Sequence, residues 1–386
     1  MSAAIFVVTA PPWPVRSGVQ TKLASLLEAA EVEVHVISPA PFRPPSHHIV
    51  CHVVGTPGSV PQVMRAMIGK LKGLLPSQSR VDAASILSEI DDVLAHSMGT
   101  VHVHLDTIAL AHLAAPVRGL LRSRDRTGRV LCSLNDSYSF LKSEAGVDHG
   151  WSGLARRFIE FNERRFLPDS DLVDVVSATD VGWLAKVAPR ANTRIVPLGI
   201  RPEWVAGGFT ESSELYDLLL FSGGPGVNTF VDVGLPRLRQ CRPGIKVAMI
   251  GPEPPVRSLA SYRALGVEYL GFVDDVAAAV RQSKVVLAPS QQRCGLSNRA
   301  MLAFSNARCV VGGRCLMNFQ GARAGRDFLM SNSTNGMVDL VLVALADDRL
   351  RAGIGRSAQI YAGSLPSSEE VAKWYWDDIK VGCYDE

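Results

Sequence analysis

The sequence contains no cysteine pair spaced CxxC, no run of apolar residues long enough to cross a bilayer, and no GxGxxG fingerprint. Each absence excludes something. The seven cysteines (Cys51, Cys132, Cys241, Cys294, Cys309, Cys315 and Cys383) are scattered and odd in number, which argues against a disulfide framework or a structural zinc site and fits a reducing compartment. No window approaches the ~20 apolar residues of a spanning helix. The opening MSAAIFVVTAPPWP lacks a basic leader and breaks at prolines, so it reads as a first buried strand and not as a signal peptide. There is no excess of charge: 40 Lys and Arg face 37 Asp and Glu, and a net charge of +3 argues against a nucleic-acid clamp. Without the glycine fingerprint, a dinucleotide cofactor gains no support. The expectation is a cytoplasmic protein, at most peripheral to the inner face of a membrane.

What is present is the composition of a globular chain, with 47% hydrophobic and 20% charged residues. At 386 residues it exceeds what one core usually supports, so two domains are expected. Ala4–Thr9, Val32–Ser38, Thr100–Leu105, Gly128–Leu134 and Leu172–Ser177 are almost continuously apolar. That is the pattern of parallel strands covered on both faces. Helical spacing at Gly18–Ala30, Val81–His96, Ile108–Arg122 and Ser152–Leu167 separates them. The rhythm restarts with strands at Tyr216–Ser222, Ile245–Gly251, Glu268–Phe272, Lys284–Pro289 and Arg308–Gly312, and with helices at Thr229–Gln240, Asp275–Gln282, Asn298–Asn306 and Gly336–Asp347. The fold class is therefore α/β, with two Rossmann-like, doubly wound parallel-sheet domains facing across a cleft. Residues 1–197 form the first and residues 198–366 the second, and the last segment, within 367–386, is helical and aromatic. Ligands of such sheets bind outside the carboxyl ends of the strands.

Two loops carry chemistry on their own residues. The first strand runs into Thr9-Ala-Pro-Pro-Trp-Pro-Val-Arg-Ser-Gly18, and a helix opens directly afterwards. Unpaired backbone N–H groups and the helix dipole favour an anion there, and Gly18 lets a phosphate approach without a Cβ in its way; an ordinary proline-rich connection is the alternative. In Pro289-Ser-Gln-Gln-Arg-Cys-Gly-Leu-Ser-Asn-Arg, a strand gives way to a polar loop with Gly295, and Ser297 or Asn298 caps the next helix. Arg299, in that helix's first turn, is placed to pair with a diphosphate.

In order and spacing, the runs Gly266-Val-Glu-Tyr-Leu-Gly-Phe-Val-Asp-Asp, Val285-Val-Leu-Ala-Pro, Gly295-Leu-Ser-Asn-Arg-Ala-Met-Leu-Ala-Phe and Val310-Val311 resemble the C-terminal half of GT-B glycosyltransferases of the family 4 type. The N-terminal "PP.P..SG…K…L" and the interdomain Val196-Pro197…Gly199-Ile200 are similar to that family as well. The resemblance implies transfer of a sugar from a nucleotide-diphosphate donor to a hydroxyl acceptor (a glycan, a lipid-linked glycan or a small metabolite), with retention and without an obligatory metal or cofactor. It also implies that the helix within 367–386 returns to pack on the first domain. It places Gly18 by the donor phosphates, Val273 where backbone groups hold the base, and Arg299 where relatives carry a diphosphate-binding lysine. Cys294, Gly295, Ser297 and Asn298 would complete the donor side. Three departures stand out, the first being the family's Gly-x-Pro, which reads Ala307-Arg308-Cys309 here. The family's paired glutamates fall at Cys294 and Leu302, and the basic pair after the first C-terminal strand is missing from Ser222-Gly-Gly-Pro-Gly-Val-Asn228.

On the acceptor side, His104 and Asp106 close the strand Val101-His-Val-His-Leu-Asp, and Asn135 and Asp136 close the next. His104 is read as a catalytic candidate that hydrogen-bonds sugar hydroxyls, with a satisfied structural histidine as the alternative. Asp136 is the preferred cleft carboxylate, orienting the acceptor or acting as a base, with an Asx turn as the alternative. Trp13 and Arg16, in the first loop, are expected to line the acceptor too. Two basic stretches, Met64–Leu75 and Leu154–Phe166, suggest contact with an anionic membrane surface or a solvated helix face. The rival functions are a catalytically inactive GT-B-like partner protein and a sugar-nucleotide epimerase.

Overall fold

The computed structural model describes residues 3–15, 18–54, 73–79, 81–144, 151–205, 214–224, 226–254 and 256–381. The chain divides into two compact units, one of Met1–Leu198 with Ser368–Glu386, the other of Gly199–Ser367.

The first unit is built on a seven-stranded sheet in the order β3-β2-β1-β4-β5-β6-β7. The strands are β1 (Ala3–Val7), β2 (Glu33–Ser38), β3 (Ile49–Val53), β4 (Val101–Asp106), β5 (Val130–Ser133), β6 (Leu172–Val175) and β7 (Thr193–Ile195), and all pair in parallel. Its helices are α1 (Gly18–Glu28), α2 (Ala83–His96), α3 (Ala114–Ser123), α4 (Tyr138–Glu144), α5 (Trp151–Phe166) and α6 (Ala178–Val187), joined at the end of the chain by Ser368–Val381.

Successive residues of a strand point to opposite faces, and β1 shows why it is apolar throughout. Ala4, Phe6 and Val8 join Leu23 and Leu27 of α1 and Tyr375, Trp376 and Ile379 of the last helix. Ile5 and Val7 join Ile90 and Leu94 of α2 and Val117 of α3 on the other face. With both faces covered, no polar alternation is left.

The strands β3 and β7 lie outside the sequence expectations. Both are edges, and only one residue of β3 and none of β7 is fully buried. Their short, partly polar runs therefore lack the apolar signal of central strands. The expected helix Ile108–Arg122 begins instead as a 3-10 turn at Ala111–Leu113. The chain leaves β4 through Thr107, whose φ of 72° prevents a helical start there.

The second unit has a six-stranded sheet in the order β10-β9-β8-β11-β12-β13. Its strands are β8 (Tyr216–Phe221), β9 (Val247–Ile250), β10 (Val267–Gly271), β11 (Ser283–Ala288), β12 (Cys309–Gly312) and β13 (Leu329–Met330). Helix α7 runs through Val227–Thr229, a π-helical Phe230–Gly234 and Leu235–Cys241. It is followed by α8 (Val256–Ala264), α9 (Val276–Arg281), α10 (Asn298–Ser305), α11 (Thr334–Ala346) and α12 (Asp348–Gly363), and the last helix of the chain is α13 (Ser368–Val381). Asp347 ends α11 and caps α12 by accepting from the Leu350 N–H.

Both sheets have the doubly wound order, which reverses direction between their first and fourth strands. In the first unit that switch lies between β1 and β4, and in the second between β8 and β11. Open α/β sheets bind ligands outside the strand ends at this point.

Candidate functional site

In the second unit, β8 ends at Phe221 and the chain turns through Ser222-Gly-Gly224. Ser222 Oγ donates to the Pro252 carbonyl and its N–H to that of Ile250, so the turn is tied to the end of β9. The neighbouring β11 leads into Pro289-Ser-Gln-Gln-Arg-Cys-Gly295, and this loop is also held internally. Asn318 Nδ2 donates to the carbonyls of both Arg293 and Gly295, and Gln291 bridges Ser331 O and the Arg314 N–H. Gly295 has φ of 66°, a conformation that favours glycine.

Ser297 then caps α10 by accepting from the Ala300 N–H, as its sequence position suggests. From Ala300 to Ser305 every residue of α10 is buried, so only its entry, Asn298 and Arg299, retains partial exposure.

Arg299 crosses from this entry to the turn after β8. Its Nη2 lies 3.4 Å from the Ser222 carbonyl and its guanidinium stands 5.7 Å from the centre of the Phe221 ring. A Cβ at Gly224 would fall onto its Nη1, so the glycine is what lets the guanidinium sit there. Burial pulls the Arg299 pKa down, but an arginine stays charged at neutral pH. The Oδ1 of neighbouring Asn298 is buried without a hydrogen-bond partner among the described residues. Cys294 is half-buried in the loop, and Leu302 is 4% exposed within α10. Val273 follows β10 on the half-exposed segment between Gly271 and the Asp275 cap of α9. The structure thus gathers Gly295, Ser297, Asn298 and Arg299 at the entry of α10, reaches the glycine turn through Arg299 alone, and leaves Val273 at the end of an outer strand.

In the first unit, Gly18 opens α1. A transverse polar row crosses the sheet near the ends of its strands. Asp106 of β4 is in register with Ser133 of β5, Ser133 with Asp174 of β6, and Asp174 with Arg194 of β7. Thr9, just past β1, has its Oγ1 3.5 Å from Asp106 Oδ2. Burial pushes the Asp106 carboxyl up to about 6, against the opposing pull of Lys22. Arg194 Nε donates to Asp174 at 2.6 Å and its Nη1 pairs with Asp378 of α13.

Asp136 and half-buried Asn135 lie beyond β5. Burial raises the Asp136 carboxyl to about 6, with the charge of Asp180 adding to the effect. The turn that carries them is fixed from beneath. Ser137 N–H donates to Asp180, and the Ser137 and Ser139 hydroxyls and the Ser139 N–H donate to the fully buried carboxylate of Glu163. Trp183 Nε1 donates to Ser139 Oγ at 2.6 Å.

Several expectations need correction. His104 is not at the strand's open end. It is 2% exposed in the middle of the sheet, stacked on Phe6 at 4.1 Å, with Nδ1 2.5 Å from the Tyr375 hydroxyl. Burial drives its pKa far down, so it is a neutral core histidine under α13. Trp13 donates from Nε1 to Glu28 and leans against Phe42 at 5.6 Å, so its polar edge is already engaged away from the β1–β4 row. Arg16 and most of the basic stretch Met64–Leu75 lie outside the described residues. In Leu154–Phe166, Arg164 donates to the Val187 carbonyl and Arg165 stands over the Phe166 ring at 4.9 Å, so both are committed to local contacts.

Sequence reasoning does not single out Asp174, Arg194 or Gly224, and it meets Lys22 only as the K of the family-like N-terminal pattern, without a role. A charged residue inside the apolar run Leu172–Val175 was the available signal for Asp174. Nothing local marks Arg194 or Gly224, whose partners are distant in sequence.

Residues 220–347 match the family of glycosyl transferases group 1. No curated protein matches the chain significantly. Among solved structures, sucrose-phosphate synthase from Thermosynechococcus elongatus aligns over 99% of each chain at 15% identity, with a TM-score of 0.76. Anabaena HepE, solved in complex with UDP and glucose, aligns over 98% of this chain and 99% of its own at 14% identity and a TM-score of 0.70. WaaG, a glycosyltransferase involved in lipopolysaccharide biosynthesis, aligns over 97% and 99% at 13% identity, also with a TM-score of 0.70. At such identities the likeness establishes the fold along the whole length. No described helix is long and apolar enough to cross a membrane.

Proposed function

We propose that this GT-B chain, whose residues 220–347 form a group 1 glycosyl transferase domain, moves a sugar from a nucleotide-diphosphate donor to a hydroxyl acceptor. The observation that carries the reading is the path of Arg299. A half-buried guanidinium from the entry of α10 reaches the glycine turn after β8, at the switch point of the second sheet.

Relatives of this kind carry basic residues on that turn, and this chain carries none in Ser222–Asn228. Arg299 supplies the charge from the neighbouring strand's loop instead. Together with the first-turn N–H groups of α10 that the Ser297 cap does not engage, it would hold the diphosphate and stabilise the charge that builds on it as the glycosidic bond breaks. HepE was solved with UDP and with UDP-glucose, which makes UDP-sugars the first donors to test.

In the first unit, Asp106, Asn135 and Asp136 stand at the carboxyl ends of β4 and β5 and would take the acceptor. In a retaining transfer the departing phosphate oxygen accepts the acceptor proton, and Asp136 then serves to hold and orient the hydroxyl.

Isothermal titration with UDP, GDP and ADP, followed by turnover of the matching donor, tests the reading. Arg299→Ala is expected to lower kcat by about 10²-fold while leaving the melting temperature within a few degrees, because one oxyanion-stabilising donor contributes on that order. Unchanged kinetics would remove the arginine from the mechanism. A second reading, a non-catalytic partner protein, is favoured by one observation: buried Leu302 and half-buried Cys294 stand where relatives have glutamates. Failure of all three nucleotides to bind would select it.

A further inference from the structure

We propose that Lys22 and Asp106, with Thr9 beside them, form a subsite that grips hydroxyl groups of an uncharged, sugar-like acceptor. The inference rests on the transferase reading above and names the class of its acceptor.

Lys22 lies one turn into α1 and is only 8% exposed, yet its Nζ has no hydrogen-bond partner among the described residues. Leaving a buried ammonium unpaired is costly, because it has lost water and gained nothing in return. The carboxylates of Asp174 and Asp106 act on it electrostatically, but neither is hydrogen-bonded to it. Asp174 is committed to Arg194. Among the described residues, the carboxylate of Asp106, 9% exposed, has only Thr9 as a hydrogen-bonding neighbour, at 3.5 Å. A cation and a carboxylate are therefore held near each other at the carboxyl ends of β1 and β4, with hydrogen-bonding capacity left on both.

A hydroxyl group matches that arrangement. Its oxygen accepts from the ammonium while its hydrogen is donated to the carboxylate, and an adjacent hydroxyl can use Thr9 in the same way. An anionic group does not match. A phosphate or carboxylate drawn to Lys22 would face Asp106, and the charge of Arg194, whose Nη2 has no partner among the described residues, is already balanced by Asp174 and Asp378. The switch-point position agrees with ligand binding. The backbone just past Asp106 is also strained, since Thr107 is a β-branched residue at φ 72°.

The test is saturation-transfer NMR on the full chain with glucose, galactose, mannose and fructose, and with the 6-phosphates of glucose and fructose. UDP binding is measured in parallel by calorimetry. At least one neutral sugar is expected to bind more tightly than its own phosphate ester. Lys22→Met should weaken that sugar by about tenfold or more, the value of a hydrogen bond to a charged group, and leave UDP affinity unchanged. The same variant should melt no lower than the parent, since it removes an unpaired buried charge; a lysine serving only as a structural ion-pair partner would make it melt lower. Asp106→Asn, which keeps the side-chain volume, should weaken the neutral sugar as well.

Tighter binding of the phosphate esters, no binding of any neutral sugar, or unchanged sugar affinity in both variants overturns the subsite. If UDP fails to bind while the sugar still depends on Lys22, the transferase reading falls and the subsite stands. If UDP binds while the sugar ignores Lys22, the reverse holds.

Discussion

Two glycines near the proposed donor site have different neighbours, and the difference separates a functional position from a structural one. A Cβ at Gly224 would meet the tip of the Arg299 side chain, whereas a Cβ at Gly313 would meet the backbone carbonyl of Ser290. A guanidinium can swing aside, whereas the Ser290 carbonyl is backbone and already accepts from the Cys315 N–H. Gly224→Ala is therefore expected to fold with little loss of melting temperature but to bind UDP about tenfold more weakly, the value of one charge-assisted contact. Gly313→Ala should lose about 1–3 kcal/mol of stability through overpacking. Thermal melting with calorimetric titration distinguishes them, and a Gly224→Ala protein with parental UDP affinity would show that the guanidinium's position does not matter. The same contrast explains why the sequence makes Arg299 visible and Gly224 not. A basic residue just after a Ser-Asn cap follows a local rule, while the glycine is required by a side chain 75 positions further on.

At the scale of elements, α10 shows what periodicity can and cannot reveal. Its start at Asn298 and its cap at Ser297 follow from local chemistry, and both are where the sequence places them. Its complete burial past Arg299 follows from packing against β11, β12 and α12, which no local pattern announces. Leu302 belongs to that buried stretch. Leu302→Glu, although it restores a residue type found in relatives, should strand a carboxylate in the core at a cost of about 3 kcal/mol or more. For a unit of this size that is on the order of 10 °C in melting temperature. If the variant instead melts like the parent and gains UDP affinity, position 302 reaches the nucleotide and the donor is held as in the relatives. Central strands were legible for the reason that β1 illustrates: burial on both faces makes an unbroken apolar run. The edge strands β3 and β7, half exposed and partly polar, carry no such signal. His104 misled for a related reason. Its strand-end pattern is real, but the aromatic helix α13, 271 residues away at Tyr375, covers it. That contact is invisible until the chain's end is placed on its first sheet.

The whole molecule repeats one strand order in two sheets, and the proposed chemistry falls at the same topological place in each. Arg299 meets the turn after β8 beside β11, and Asp106 meets Thr9 after β1 beside β4. Each unit also owns its core: Leu218, Phe230, Val285 and Val338 cluster in the second, and Phe6, Leu27, Tyr375 and Trp376 in the first. Separate cores unfold as separate cooperative blocks, so scanning calorimetry is expected to resolve two transitions. A ligand stabilises the block that binds it by RT ln(1 + [L]/Kd), about 2.7 kcal/mol at a hundredfold excess over Kd. A nucleotide should therefore raise the transition that Leu302→Glu lowers. A neutral sugar should raise the other, and lose that effect in Lys22→Met. If UDP raised the transition that Leu302→Glu leaves unmoved, and not the one that Leu302→Glu lowers, the diphosphate would belong to the first sheet. The roles assigned to the two switch points would then have to be exchanged.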